Sequence, residues 1–149
     1  VGLGAGVNTG KILVGNIGSE KKLGYDCLGD PVSVAARLES QTKSYGVLLI
    51  VGPDTVAQTK KDFDWWELDN IAVKGKEKPL RIYAVHKQTP EHRTFLKNYY
   101  AGNWDVCIRD YRTYQRAAPK MAAYYDKMIE RLTQGKPADW DGIYRATSK

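Results

Sequence analysis

Apolar and polar positions change their spacing several times along the chain, and each change predicts a different element. Residues 3–8 and 12–17 are short apolar runs interrupted by Asn8-Thr9-Gly10-Lys11, a pattern that predicts two strands joined as a hairpin. After the polar stretch Gly18-Ser19-Glu20-Lys21-Lys22-Leu23-Gly24 comes a short segment, 25–28, and then a helical period from 31 to about 43. Asp30 suits the cap of that helix and Pro31 its first position, while Val32, Ala35, Ala36 and Leu38 supply apolar positions. Arg37 sits beside that stripe, where a charge needs a partner or a job. A buried strand is predicted at 47–51, a short helix with Pro53 near its start at 52–59, and a strand pair at 63–73 and 80–86.

Beyond residue 88 the period becomes helical throughout. Thr89-Pro90-Glu91 is a start signal, with breaks at Gly102-Asn103, Pro119 and Gly135. The sequence therefore divides at 88/89 into an α/β part (1–88) and a small all-helical extension (89–149). Most of the ten tyrosines and four tryptophans lie in the extension or at Trp65-Trp66. Aromatic residues at helical spacing predict a core more readily than a ligand site. Trp140, Ile143 and Tyr144 near the C-terminus are expected to dock back on the domain.

Composition narrows the classes. The 149 residues suffice for one domain with a real core, or for part of a larger one plus an extension. The start at Val1, without Met or a polar lead-in, suggests a cut through a domain. Neither a run of roughly 18 apolar residues nor a signal peptide is present, so no direct membrane contact is expected from this segment. Cys27 and Cys107 lie far apart and form no metal-ligand pattern, which predicts a reduced, intracellular domain. The net charge is +6, yet basic residues are interleaved with acidic ones, 12 with 10 in 1–88 and 11 with 7 in 89–149. That pattern excludes a nucleic-acid footprint and leaves a solvated surface with some preference for anions.

Two phosphate motifs fail. A P-loop ending at Gly10-Lys11 needs glycine at 5 and Ser or Thr at 12, where Ala5 and Ile12 stand. Gly2, Gly4 and Gly6 complete no dinucleotide fingerprint and are better read as close backbone packing and a tight turn.

A different pattern holds. The run GVNTGKILVGNIGSEKKLGYDCLGDPVSVAARLES, continued through LLIVGPDTV and AVKGKEKPLRIYAV, resembles the catalytic domain of the class III nucleotidyl cyclases, the adenylate and guanylate cyclases. The resemblance covers residues 1 to about 86 and corresponds to the C-terminal half to two-thirds of such a domain. It implies a partial ferredoxin-like palm of mixed α/β (α+β) class that dimerises head to tail, with a second copy or a cyclase-like partner, around active sites in the dimer cleft. It implies conversion of ATP to 3′,5′-cyclic AMP and pyrophosphate, a phosphorus–oxygen lyase reaction used in intracellular signalling.

The resemblance assigns roles residue by residue. Arg37 matches the family's transition-state arginine, whose planar fork suits phosphate oxygens. A surface ion pair with Glu39 or a neighbour is its alternative. Asp26 stands at the purine-reading position, where a carboxylate accepts from the adenine 6-amino group; a plain turn residue is the alternative. Family guanylate cyclases typically carry Cys there, and Cys27 is one residue out of register. Lys74 matches the lysine that contacts the terminal phosphates. Ser33 departs from the pattern: competent members usually carry Asn, four residues before the arginine and on the same helix face. Losing one preorganised donor implies a rate lower by about 100-fold.

The family's two metal-binding aspartates and its adenine-reading lysine belong upstream of this segment. Ligands for Mg2+ or Mn2+ are therefore expected outside the chain, since Asp30, Asp54, Asp62, Asp64 and Asp69 lack the spacing to replace them. Alone, the chain is expected to be inactive. Residues 100–119 look like the second half of a tetratricopeptide-type hairpin, with Cys107 and Tyr114 in slots where Ala is usual. One repeat cannot bury its own face and should pack on the palm or a partner. A helical tail ending in WDG and SK also resembles membrane-anchored, sensor-linked cyclases, which implies a cytoplasmic placement. Three readings stay open: an adenylate cyclase fragment, a catalytically impaired regulatory or dimerisation module, and a scaffold whose extension binds a partner.

Overall fold

The computed structural model describes residues 3–11, 13–16, 25–28, 30–72 and 78–145; for 13–16, 25–28 and Asp30 the description is of the backbone. A four-stranded sheet is built from β1 (Ala5–Val7), β4 (Leu49–Val51), β6 (Leu80–Val85) and β5 (Trp65–Ile71), in that spatial order. β1 runs parallel to β4, with Gly6 opposite Ile50, and β5 and β6 form the expected strand pair, in antiparallel sense. The expected hairpin between the first two runs does not form. β2 (Leu13–Asn16) instead pairs antiparallel with β3 (Tyr25–Leu28), leaving β1 free to take β4 from more than forty residues away. Adjacent apolar runs supply strands, but side-chain pattern alone does not choose their partners.

Between β3 and β4 lie α1 (Asp30–Ser40) and α2 (Thr42–Tyr45), where one helix to about 43 was predicted. Hydroxyl groups end the first helix: Ser40 Oγ donates to the Arg37 carbonyl at 2.8 Å and Thr42 Oγ1 to that of Glu39 at 2.8 Å. Such local bonds compete with the helical ladder. Gly46, at φ 64°, closes α2 in the left-handed region that glycine tolerates. α3 (Pro53–Gln58) follows β4 as predicted.

The extension is helical at the expected places. Thr89 caps α4 (Pro90–Ala101) by accepting from the His92 N–H at 3.0 Å, and Gly102 ends it at φ 89°. α5 (Trp104–Arg109) and α6 (Tyr111–Ala117) are separate short helices, followed by a 3₁₀ turn at Pro119–Met121 and by α7 (Ala122–Leu132). These helices lie against the sheet. Leu38, Ile50, Trp66, Phe95, Tyr99 and Tyr124 are all fully enclosed in a single apolar cluster spanning both parts of the chain. Ring contacts such as Trp66 on His92, at 3.7 Å between centroids, and Phe95 on Tyr99 bear out the reading of the aromatic residues as core. Tyr144 and Trp140 dock as expected, Tyr144 bridging to Ile71 and Trp140 packing on Tyr99 and Trp104. Among the described residues, no helix is long and apolar enough to cross a membrane.

Candidate functional site

α1 is seated on β1 almost backbone to backbone. A side chain at Gly6 would collide with the Ala35 carbonyl and the Glu39 amide, and one at Gly4 with Thr42. Close packing therefore explains these two glycines, as the failed phosphate motifs suggested. Val34 and Leu38 bury the inner face of the helix. Ser33 and Arg37, one turn apart, lie together off that face; Ser33 is exposed and Arg37 half-buried. Among the described residues Arg37 forms no ion pair, and the alternative pairing with Glu39 is not made. Its guanidinium is thus a five-donor fork that no described carboxylate occupies.

Asp26 has its backbone in β3 opposite Gly15 of β2, so it is a strand residue and the turn alternative is corrected. The Asp26 side chain and the whole of Lys74 lie outside the described residues. Of the four predicted site residues, the structure brings Ser33 and Arg37 together. A cavity of about 150 Å³ opens on the other side of α1, beside Pro31 and Val34, with Asn8, Thr9, Asp54 and Lys78 in its wall. Neither Ser33 nor Arg37 lines it.

Among the described residues no group of three or more His, Cys, Asp or Glu side chains could hold a metal ion. Asp69, one of the five aspartates considered in the sequence, is fully committed elsewhere. A bulge in β5 between Glu67 and Asp69 shifts the alternation, so Leu68 and Asp69 are both buried. The enclosed Asp69 carboxylate accepts from Tyr45 Oη at 2.6 Å, Tyr99 Oη at 2.7 Å and Arg131 Nη1 at 2.8 Å. Burial, and then the facing carboxylate, push both phenols well above their ordinary range and keep them as donors. Arg131 also lies 3.5 Å above the Tyr144 ring and 5.1 Å from that of Tyr45. Nothing in the sequence pattern pointed to this cluster, because its members come from positions 45 to 144 and the bulge reverses the expected facing of Asp69.

His92 is a second buried polar group that the sequence did not reveal. Its Nε2 donates to the Glu67 carbonyl at 2.7 Å and its Nδ1 accepts from Tyr125 Oη at 2.8 Å. Burial lowers its pKa to about 3, so the ring is neutral. Cys107 is enclosed beside the Phe95 carbonyl, and burial raises its thiol to about 12, which makes it an inert core residue.

Residues 1–87 match the Adenylate and Guanylate cyclase catalytic domain family. The chain belongs to that family. Adenylate cyclase 1 of Rhizobium meliloti is 38% identical over 80 residues, a match covering 54% of this chain and 12% of that protein. The terminal-differentiation-specific adenylate cyclase of Dictyostelium discoideum is 28% identical over 141 residues, covering 90% of this chain and 6% of its own length. That second match runs past the family segment into the helical extension. The chain thus spans a small fraction of either relative. Among solved structures, the adenylyl cyclase CyaB from P. aeruginosa aligns with a TM-score of 0.44 at 28% identity, over 53% of this chain and 39% of that one.

Proposed function

We propose that this chain is the C-terminal part of an adenylate cyclase that converts ATP to cyclic AMP and pyrophosphate at a dimer interface. One observation carries the reading. Within a family-matched segment, Arg37 stands one turn from Ser33 on α1, half-buried and without an ion partner among the described residues. In the reaction the ATP 3′-oxygen bonds to the α-phosphorus, the bond to the bridging β-phosphate oxygen breaks, and the hydroxyl proton is released as pyrophosphate departs. Arg37 meets the charge that develops on the phosphate oxygens, a task for a preorganised fork. Asp26 accepts from the adenine amino group, and Lys74 contacts the terminal phosphates. Mg2+ or Mn2+, with its ligands upstream of this segment, would supply charge at the phosphates, and the chain by itself is inactive.

The names of the two relatives support adenine over guanine as the base. The catalytic part works on the cytoplasmic side, in a parent that other segments anchor to a membrane. Ser33 favours a second reading, a cyclase fold retained for regulation or dimerisation after catalysis weakened.

Cyclic AMP formation from ATP with Mn2+, measured on the full-length protein, tests both. Arg37→Ala should lower the rate by about 100-fold or more. Unchanged turnover in that variant would overturn the role given to Arg37. A parent that is silent until Ser33→Asn is introduced would establish the regulatory reading instead.

A further inference from the structure

The helix that carries Arg37 and the one that follows it are joined by a single residue, Gln41, so the placement of α2 sets the last turn of α1. The joint is tied on both sides of that residue. The Arg37 carbonyl accepts from the Gln41 amide at 3.2 Å and from Ser40 Oγ at 2.8 Å. Thr42, buried against Gly4, donates from Oγ1 to the Glu39 carbonyl. The extension takes hold of α2 directly. At Gly46 a side chain would strike the Ala123 carbonyl of α7, so the two backbones touch. Tyr45, next to it, is wholly buried, and its Oη donates to Asp69 Oδ2 at 2.6 Å. The same oxygen accepts from Arg131 Nη1 at 2.8 Å, and the Arg131 guanidinium lies 5.1 Å from the Tyr45 ring. Arg131 is itself held by the C-terminal tail. The Tyr144 ring lies 3.5 Å from its guanidinium, and Tyr144 pairs with the end of β5 through the Asn70 carbonyl and the Ala72 amide, both at 2.9 Å.

We propose that Tyr45 is a positioning residue for Arg37, and that the extension holds it in place through Arg131 and Asp69. The proposal rests on the reading of Arg37 as the group that meets phosphate charge. β1 supports α1 through Gly6, but the end of the helix that bears Arg37 runs on into α2, and α2 takes its buried polar contact from β5 and α7. Without the Oη bond the Tyr45 ring still fills its place but is free to tilt, and α2 with it. A misplacement of about 1 Å in a catalytic group can cost about 100-fold in rate, so a smaller shift costs correspondingly less. The extension thereby acts on the reaction without touching ATP.

The test is a double-mutant cycle on the full-length protein, read as kcat and KM for cyclic AMP formation from ATP, with Ser33→Asn present throughout if the parent requires it. Tyr45→Phe removes one hydroxyl and leaves the Asp69 carboxylate bonded to Tyr99 and Arg131, so the fold survives. It should lower kcat about fivefold and keep KM within about twofold, because Arg37 acts as the phosphate charge develops. In an Arg37→Ala background that loss should shrink below about 1.5-fold. Tyr125→Phe removes a comparable buried hydroxyl, the one that donates to His92 Nδ1, and should leave kcat at the parent value. Arg131→Met carried with Asp69→Asn, which leaves no unpaired charge, should lower kcat as far as Tyr45→Phe does. Equal losses from Tyr45→Phe in the two backgrounds would show a general structural role and overturn the proposal. So would a Tyr45→Phe enzyme at the parent rate, or an equal loss from Tyr125→Phe. Parent kcat in the Arg131 and Asp69 double variant would overturn the part given to the extension. An Arg37→Ala variant with parent turnover would overturn the underlying reading of Arg37, and no turnover in any form would overturn both.

Discussion

Arg37 and Arg131 both project from the flank of a helix, one in the cyclase segment and one in the extension, and their surroundings are opposite. Arg131 is filled on all sides: a carboxylate, a phenol oxygen and two aromatic rings meet its guanidinium, and its side chain is 14% exposed. Arg37 has none of these among the described residues, although its helix is firmly seated on β1. The two regions differ in the same way throughout. Around α1, elements meet through glycine and alanine, with the backbone itself as the packing surface. Around β5, α4 and α7 they meet through tyrosine, tryptophan and histidine; the polar tips of Tyr99, Tyr124 and His92 are bonded to defined partners, whereas Trp66 Nε1 and Tyr114 Oη are buried without one among the described residues. An arginine whose donors are satisfied inside the protein holds the fold together. Arg37, on an equally firm support, meets no carboxylate or aromatic ring among the described residues.

The largest effect should come from breaking the satisfied arginine. Arg131→Met leaves the enclosed Asp69 without its cation and should cost about 3–5 kcal/mol in urea denaturation. Adding Asp69→Asn should recover part of that loss, since the two residues act as a pair. Arg37→Ala should invert the pattern: activity falls about 100-fold or more while stability changes by about 0.5 kcal/mol or less, measured by turnover and thermal melting on the same preparation. A large loss of stability in Arg37→Ala would erase the contrast between the two sites.

Gly6→Ala probes the backbone packing on the cyclase side, and the new methyl group should cost about 1–3 kcal/mol through overpacking against α1. The smallest effect concerns His92. Because its folded pKa, about 3, lies below the ordinary value near 6.5, the unfolded chain binds the proton more readily between those values. Its contribution is complete above pH 6.5 and declines as the pH falls toward 3. From pH 6.5 to 5.5 the decline should be about 1 kcal/mol, and His92→Gln should flatten that part of the stability profile.

Much of this contrast was legible along the chain, and the illegible part has a physical cause. Local signals worked: Pro31 near the start of α1, Thr89-Pro90 at α4, Gly102 at its end, and the alternation in β5 and β6. The relation of Ser33 to Arg37 also survives, since four residues on a helix fix a shared face. Pairings that depend on distant residues did not show. β1 takes β4 in place of its neighbour β2, and no pattern within either run announces that choice. Asp69 showed in the sequence only as an aspartate without the spacing of a metal ligand, and strict alternation would put it on the Glu67 face. The bulge at Leu68 turns it inward to meet Arg131 across 62 positions.

The way the extension closes the edge of β5 also bears on how this protein can be handled and inherited. A polypeptide stopped at residue 88 would lose the partners that cover Trp66, Leu68 and Ile71 and would leave the Asn70 carbonyl and the Ala72 amide open to another chain. Such an edge invites aggregation. The stretch that defines the family is therefore shorter than the packed unit, and truncations drawn at the family boundary should precipitate more readily than those ending beyond Tyr144.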